Sequence, residues 1–301
     1  MIRHLPHSGI DKAEWDRMLL HCPDRVWYAQ SWVLDRCAPQ WEALLGDDGS
    51  IMPLLWRSKY GMAYLYQPYA IQYQGVFSPV RSATTDAAFL AAIPERFRYW
   101  DIHMNTGMQL MPSQDLRITT NSTQELSLRS HVEALRAAYS KGHRRNLRTG
   151  ADEPEVSDRV GIPEFIALFA RTTGRRYRNI PVGGIELLGH LLSGAKERDE
   201  LTLLGVRRGA ELLAAACFIS WEGRAILLKS ANTEAGQERK AMFRIVDHFI
   251  AEHAGSGLLL DFAGSNTPSV IRFNEGFGAR SRLYLHLVRN RLPVPYRWFK
   301  R

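Results

Sequence analysis

The 301-residue sequence predicts an α+β fold with mixed, mostly antiparallel sheets flanked by helices, and three observations carry that prediction. Residues 201–232, LTLLGVRRGAELLAAACFISWEGRAILLKSAN, contain three apolar runs broken at Arg208-Gly209 and Glu222-Gly223, the pattern of an antiparallel meander with short turns. Residues 241–254 place Met242, Ile245, Val246, Phe249 and Ile250 at i, i+3, i+4, i+7 and i+8, which makes an amphipathic helix ended by Gly255 and Gly257. The third observation is order: helices followed by β-β-β-α-β-α-β in the second half, with a looser version of that order in the first. Two comparable halves predict a duplicated fold, divided between residues 1–126 and 127–301, although no residue-level repeat is visible.

Taken in order, residues 15–20 and 30–35 read as helical, and strands run through residues 41–79 with a break at GDDG. Residues 85–97 form a helix capped by Thr84 or Thr85, with strands near 100–103 and 124–128. Ile162, Phe165, Ile166 and Phe169 mark one helix of the second half, and residues 185–192 carry another. After the meander and its helix, residues 258–262 form a short buried strand. Thr267-Pro268 opens a further helix, because proline suits the first helical turn. Gly276 and Gly278 stop that helix, and residues 282–289 alternate as a last strand.

Composition narrows the class. At 45% hydrophobic and 23% charged residues the chain has the make-up of a soluble globular protein long enough for two cores. The longest apolar run, residues 212–219, is too short to span a bilayer. The start MIRHLPHSGIDKAEW has no apolar stretch of the secretory kind, so a cytoplasmic location is expected. Cys22, Cys37 and Cys217 lack CxxC spacing and read as reduced thiols, and His4, His7 and His21 lack metal-ligand spacing; no metal is implied. The net charge of +8 is uneven: residues 1–125 hold 11 Lys+Arg against 13 Asp+Glu, leaving 28 against 18 in the remainder. A basic second half admits an anionic partner, or a solvated arginine-rich surface.

Residues 258–279, LLLDFAGSNTPSVIRFNEGFGA, set an acid, a Gly-Ser-Asn turn and an aromatic-glycine ending within one strand-loop-helix. Together with the basic segment YSKGHRRNLRTG (residues 139–150), this stretch resembles the FemAB-type branch of the GNAT acyltransferase superfamily, which includes acetyltransferases linked to exopolysaccharide clusters. The basic segment is similar to that family's RRNIRKA-like helix, LLLDFAGS to its strand ending in Asp-Phe-Gly-Gly-Ser, and IRFNEGFGA to its FKxGFG ending. The resemblance implies two GNAT-like domains in tandem, the first degenerate, and acyl transfer of the EC 2.3 class, with acyl-CoA as co-substrate and no permanently bound cofactor. The acceptor implied is an amine or hydroxyl of a small molecule, glycan or peptide precursor, in cell-envelope chemistry. Two alternatives stay open: a FemX-like aminoacyltransferase using charged tRNA, and a degenerate GNAT-fold binding module. DNA is not expected as a partner.

The sequence departs from the family at three places. Asn274 stands where cross-bridge enzymes that use aminoacyl-tRNA have lysine, which removes a cation able to stabilise an oxyanion. The segment ANTEAGQERKA (residues 231–241) takes the place of the [QR]xxGx[GA] pyrophosphate loop and keeps only Gly236. A general-acid tyrosine would fall near Arg272.

The candidate residues follow. Asp261 is placed to orient or deprotonate the acceptor, or else to satisfy loop amides; Phe273 and Asn274 complete the candidate catalytic set, as apolar floor and neutral donor. Lys141, Arg144, Arg145 and Arg148 share one helix face behind a Ser140 cap, a cradle for phosphate or a solvated face helped by Glu133 or Asp152. Asn232 and Gly236 join them as cofactor-binding candidates. Tyr66, Tyr69 and Tyr73 come from the tyrosine-rich residues 60–77, whose many hydroxyls suit an amphipathic cleft, or strands with hydroxyls at the surface, better than a dry core. With Tyr177 near a cleft, and Ser265 and Asn266 at the strand's carboxyl end, where Ser265 could instead satisfy loop amides, they are the substrate-binding candidates. The strand-loop-helix of residues 258–279 is expected to form one wall of that cleft.

Overall fold

A computed structural model describes residues 1–108, 110, 115–148, 155–176, 180–264, 266–293 and 296. Two compact units emerge: Met1–Ser122 with Leu283–Arg301, and Thr123–Arg282. The sequence predicts one cut at 126/127, whereas the chain leaves the first unit and returns to it at the end.

The first unit begins with β1 (Ile2–Leu5), α1 (Lys12–Leu20) and α2 (Ser31–Cys37), followed by β2 (Glu42–Gly46), β3 (Ile51–Leu54), β4 (Trp56–Lys59) and β5 (Met62–Leu65). α3 (Ala83–Ala91) and β6 (Tyr99–His103) complete its first segment. β1, β2 and β3 form one antiparallel sheet. In a second, β4 pairs antiparallel with β5, and β5 parallel with β6. β1 is absent from the sequence reading because four residues with only two half-buried side chains carry no clear period. Residues 66–79, expected as strand, make only isolated bridges at Gln74 and Phe77. Pro68 withholds a ladder donor and Ala70 sits at φ 69°. Side-chain amides take over instead: Gln67 donates to Ile71 O (2.7 Å) and accepts from His103 N (3.0 Å). The cap of α3 is Ser82, whose Oγ accepts from Thr85 N at 3.0 Å, in place of Thr84 or Thr85. The helix ends at Ala91 rather than Phe97, since Pro94 disfavours helical geometry at Ile93.

β7 (Arg117–Ser127) runs from the first unit into the second, which continues with α4 (Val132–Ala137), α5 (Lys141–Leu147), β8 (Val156–Ser157), α6 (Ile162–Arg171), α7 (Thr173–Arg176) and α8 (Gly184–Lys196). The meander follows as β9 (Leu201–Arg208), β10 (Glu211–Trp221) and β11 (Arg224–Asn232), turning at Gly209 and Gly223, both at positive φ. α9 (Glu234–Glu238), α10 (Ala241–Glu252), β12 (Leu259–Asp261), α11 (Pro268–Glu275) and β13 (Arg280–Asn290) close the chain, β13 ending in the first unit, antiparallel to β6. The second unit's strands run β7-β12-β11-β10-β9-β8, antiparallel except for β11 with β12. The mixed, mostly antiparallel α+β architecture is therefore as the sequence predicts.

Each unit has its own core. In the second, Ile245, Val246, Phe249 and Ile250 of α10 pack on Ala214, Ala216 and Phe218 of β10, with the Phe218 and Phe249 rings stacked at 3.9 Å. In the first, Phe89, Phe97, Trp100, Ile102 and Leu287 meet Leu44, Met52 and Leu54. Cys22, Cys37 and Cys217 are free and buried, and burial pushes each thiol up to about 12. Among the described residues no helix is long and apolar enough to cross a membrane.

Candidate functional site

The parallel pair in the second unit sets the geometry. β12 pairs with β11 only at Arg224↔Leu259, Ala225↔Leu260 and Ile226↔Asp261, and then ends. β11 continues to Asn232, so from Leu227 onward its edge has no ladder partner on that side among the described residues. A strand edge left open beside a diverging neighbour offers backbone donors and acceptors to an extended ligand.

Asp261 marks the point of divergence and is buried, 1% exposed. Its Oδ1 accepts from Thr123 Oγ1 at 2.6 Å and from Ala263 N at 2.9 Å, and its Oδ2 from Arg224 at 3.3 Å. Arg224 also pairs with Glu125 at 2.7 Å, which Arg282 approaches at 3.5 Å. Burial pushes the Asp261 carboxyl up, and the Arg224 guanidinium pulls it back. The carboxylate thus clasps the strand end to its neighbours. Asn274 is 2% exposed and donates to Gln124 Oε1 at 2.9 Å. Asn274 thus forms a buried amide pair between α11 and β7.

The FNEGFG ending is shaped by a histidine that sequence reading passed over. His143, in the first turn of α5, donates from Nε2 to Phe273 O at 2.9 Å, while its Nδ1 accepts from Ser140 Oγ at 2.9 Å. Its ring lies 4.6 Å from Phe277, 4.8 Å from Phe243 and 5.7 Å from Phe273. Phe273, partly buried, belongs to that aromatic cluster. Burial lowers the imidazole's pKa, and its bond to the Phe273 carbonyl offsets part of that. A Cβ on Gly276 would meet this ring, which explains the glycine. His143 offers no spacing signal: Phe273 is 130 residues away in sequence.

Ser140 caps α5 as predicted, accepting from His143 N at 3.2 Å. Lys141, Arg144, Arg145 and Arg148 are exposed and line one surface pocket with Gly142. Arg144 differs from the others because it donates to Ala137 O (2.9 Å) and Tyr139 O (2.6 Å), closing the end of α4. Glu133, offered as a neutralising partner, pairs with His131 at 3.0 Å instead; Asp152 lies outside the described residues. α5 lies beside the start of α10, where His143 meets Phe243. Among the described residues no side chain caps α10; its N-cap is Lys240 at φ 55°, and no acid stands in its first turn. An uncapped helix start beside exposed cations favours an anion.

Asn232 and Gly236 serve a tight turn. Gly236 N donates to Thr233 Oγ1 at 3.0 Å, and a Cβ there would lie 2.3 Å from Asn232 Oδ1 and 2.7 Å from Leu213 O. Asn266 is exposed. Tyr177 and Ser265 lie outside the described residues.

The tyrosines belong to the first unit and do not share one wall. Tyr73 is core, 1% exposed, with its ring 5.4 Å from Tyr28 and from Tyr284. Tyr66 donates to Cys37 O at 3.2 Å under the Arg57 guanidinium, and Tyr69 is half-buried. An open groove of this unit is lined by Tyr60, Tyr64 and Tyr99 instead.

Residues 129–268, from just before α4 to the first residue of α11, match the family model described as an acetyltransferase (GNAT) domain. No curated protein matches the chain in sequence. Among solved structures, FemX superposes with a TM-score of 0.63 at 13% identity, over 99% of each chain. A tandem GNAT protein from the clavulanic acid biosynthesis pathway gives 0.58 at 11% identity, over 97% of this chain and 99% of that one. A GNAT-family acetyltransferase from Colwellia psychrerythraea gives 0.51 at 12%, over 96% and 99%. These identities establish likeness of fold: the chain has the tandem GNAT-like architecture, and its second unit carries the segment similar to GNAT acetyltransferase domains.

Proposed function

We propose that this chain is an acyltransferase that moves an acyl group from acyl-CoA to an amine or hydroxyl of a sugar- or peptide-like acceptor. The observation that supports this reading most is that the segment matched to an acetyltransferase domain holds an open β11 edge and, side by side, the uncapped start of α10 and the exposed cations of α5. In this reading the donor's extended arm lies along β11 between Leu227 and Asn232. Its phosphates meet Lys141, Arg145, Arg148 and the first amides of α10. Held there, the thioester carbonyl is attacked directly by the acceptor; a C–N or C–O bond forms, the C–S bond breaks, and alignment supplies much of the rate. Asp261 acts as a positioning residue, because its oxygens already accept from Thr123, Ala263 and Arg224. The acceptor proton leaves through water. Phe273 holds α11 against the cluster around His143 and Asn274 ties it to β7, and the second unit carries the chemistry while the first, a degenerate copy of the fold, serves the acceptor in the setting of the cell envelope.

Acetyl-CoA tests the reading directly. A ligand that binds only the folded state at a hundred times its Kd adds about 2.7 kcal/mol of stability, so a rise in Tm of several degrees is expected. A flat response to a series of acyl-CoAs, with tight binding of charged tRNA, would favour a second reading: aminoacyl transfer from tRNA. The exposed basic face of α5 favours that alternative, and the buried Asn274 in the place of lysine counts against it.

A further inference from the structure

We infer that the first unit carries a binding groove for an acidic pyranoside, built on the β4–β5 hairpin; its purpose rests on the acceptor being sugar-like, but its existence does not. Register places the side chains. Arg57 pairs with Tyr64 and Lys59 with Met62, and Tyr64 pairs in turn with Tyr99 of β6. Directly paired residues share a face of a sheet, so Arg57, Lys59, Met62, Tyr64 and Tyr99 stand together. The opposite face, with Trp56, Ala63, Leu65 and Trp100, belongs to the core. The first face carries a groove of about 390 Å³, within the roughly 300–1,000 Å³ of small-molecule sites. Its walls are Lys59, Tyr60, Met62, Tyr64, Tyr99 and Tyr296.

Three features select the ligand. First, the walls are aromatic and tilted: the Tyr64 and Tyr99 rings are 6.4 Å apart at 64°, and Tyr60 and Tyr296 are 78% and 41% exposed. Tilted phenol rings give apolar faces for the C–H side of a sugar ring and hydroxyls at their edges for its polar rim. Second, Tyr60 occupies the first position of a two-residue turn at φ 53°, before Gly61 at φ 75°. Such a turn favours Asn or Gly, and a bulky exposed ring held there carries backbone strain that no packing repays. Third, Lys59 Nζ lies 5.3 Å from the Tyr60 ring and makes no ion pair among the described residues, while Asp101, which accepts from the Tyr99 hydroxyl at 3.3 Å, is paired with His286 at 2.8 Å and not with Lys59. An acceptor carrying a carboxylate complements that cation. The groove opens on a sheet face and presents rings and hydroxyls rather than strand amides, which favours a ring-shaped ligand over a peptide.

Calorimetric titration of the whole chain tests this, with a glucuronate-containing disaccharide, its neutral glucose counterpart and an unstructured acidic peptide as probes and no acyl donor present. The acidic sugar is expected to bind best. Tyr64→Ala and Tyr60→Ala should each weaken it by about three- to ten-fold, the range of one aromatic contact. Lys59→Gln should erase the preference for the acidic over the neutral sugar. Tyr60 is exposed, so its variant keeps the wild-type melting curve even if the Tyr64 variant does not. No binding, wild-type affinity in both tyrosine variants, an acid preference that survives Lys59→Gln, or tighter binding of the peptide would each overturn the inference. Sugar binding without any response to acyl-CoA would sink the acyl-transfer reading alone, and the reverse pattern would sink this groove alone.

Discussion

A Cβ on Gly276 would lie 1.9 Å from Cε1 of His143 and 2.3 Å from its Nδ1. The imidazole cannot retreat, since hydrogen bonds to Phe273 O and Ser140 Oγ pin both nitrogens. Gly276→Ala should therefore cost about 3 kcal/mol, the upper range for overpacking, in denaturant unfolding. His143→Ala in the same chain should recover part of that loss, because the two changes share one contact. The same ring makes stability pH-dependent. Burial depresses its pKa below the ordinary 6.5 or so, so the unfolded chain takes up the proton first as pH falls. Its contribution is complete above about pH 6.5 and is lost as pH drops through the folded-state value. His103, lowered chiefly by burial, adds in the same direction in the first unit. His143→Gln should flatten the second unit's share of the decline in chemical unfolding between pH 7 and 5. At this scale the sequence disclosed half of each pair: Asp261 and the Phe-Asn-Glu-Gly-Phe-Gly run are conspicuous, but Thr123 lies 138 residues from Asp261, and no local pattern encodes such a partner.

Elements were legible where turn chemistry and period agreed. The meander of β9, β10 and β11 is bounded by two glycines in left-handed turns, and α10 by its own apolar stripe. Legibility failed where side chains replaced the ladder, as Gln67 and Gln74 do along residues 66–79, so a tyrosine-rich run expected as a strand wall became core at Tyr73 and a half-buried hydrogen bond at Tyr66. The basic helix was half legible: the shared face and the Ser140 cap were visible, and the division of labour along it was not. Arg144 closes α4, whereas Lys141, Arg145 and Arg148 make no ion pair among the described residues. Arg144→Ala should lower stability by about 1 kcal/mol through lost carbonyl partners, with little effect on acyl-CoA affinity. The triple change Lys141→Gln, Arg145→Gln, Arg148→Gln should leave the melting curve nearly intact, weaken acyl-CoA at least ten-fold, and flatten the salt dependence of binding. A triple variant that binds as tightly as wild type at low salt would remove α5 from the donor site.

At the scale of the whole chain, the duplicated order was visible in the sequence, but the return of the last strand was not. A strand's period shows which residues are buried and carries no record of which sheet receives them. β13 starts in the second unit and pairs His286 with His103 through Asn290 with Tyr99 in the first. Leu287, fully buried, joins Ile102 and Trp100 in the first unit's core. This fixes what a cut at 126/127 would do. A fragment of residues 1–126 loses the β13 partner of β6 and the Leu287 side chain, which alone is worth about 2–5 kcal/mol when truncated to alanine. Set against a total stability of about 5–15 kcal/mol, the loss of that side chain and a five-residue ladder leaves the fragment without a cooperative transition. Restoring residues 283–301 through a flexible linker should return the transition, because the pairing needs the strand and not the covalent path. Circular dichroism melts of the two fragments decide it: a sharp melt of 1–126 alone would show that the first unit stands without β13, and that the division belongs at 126 after all.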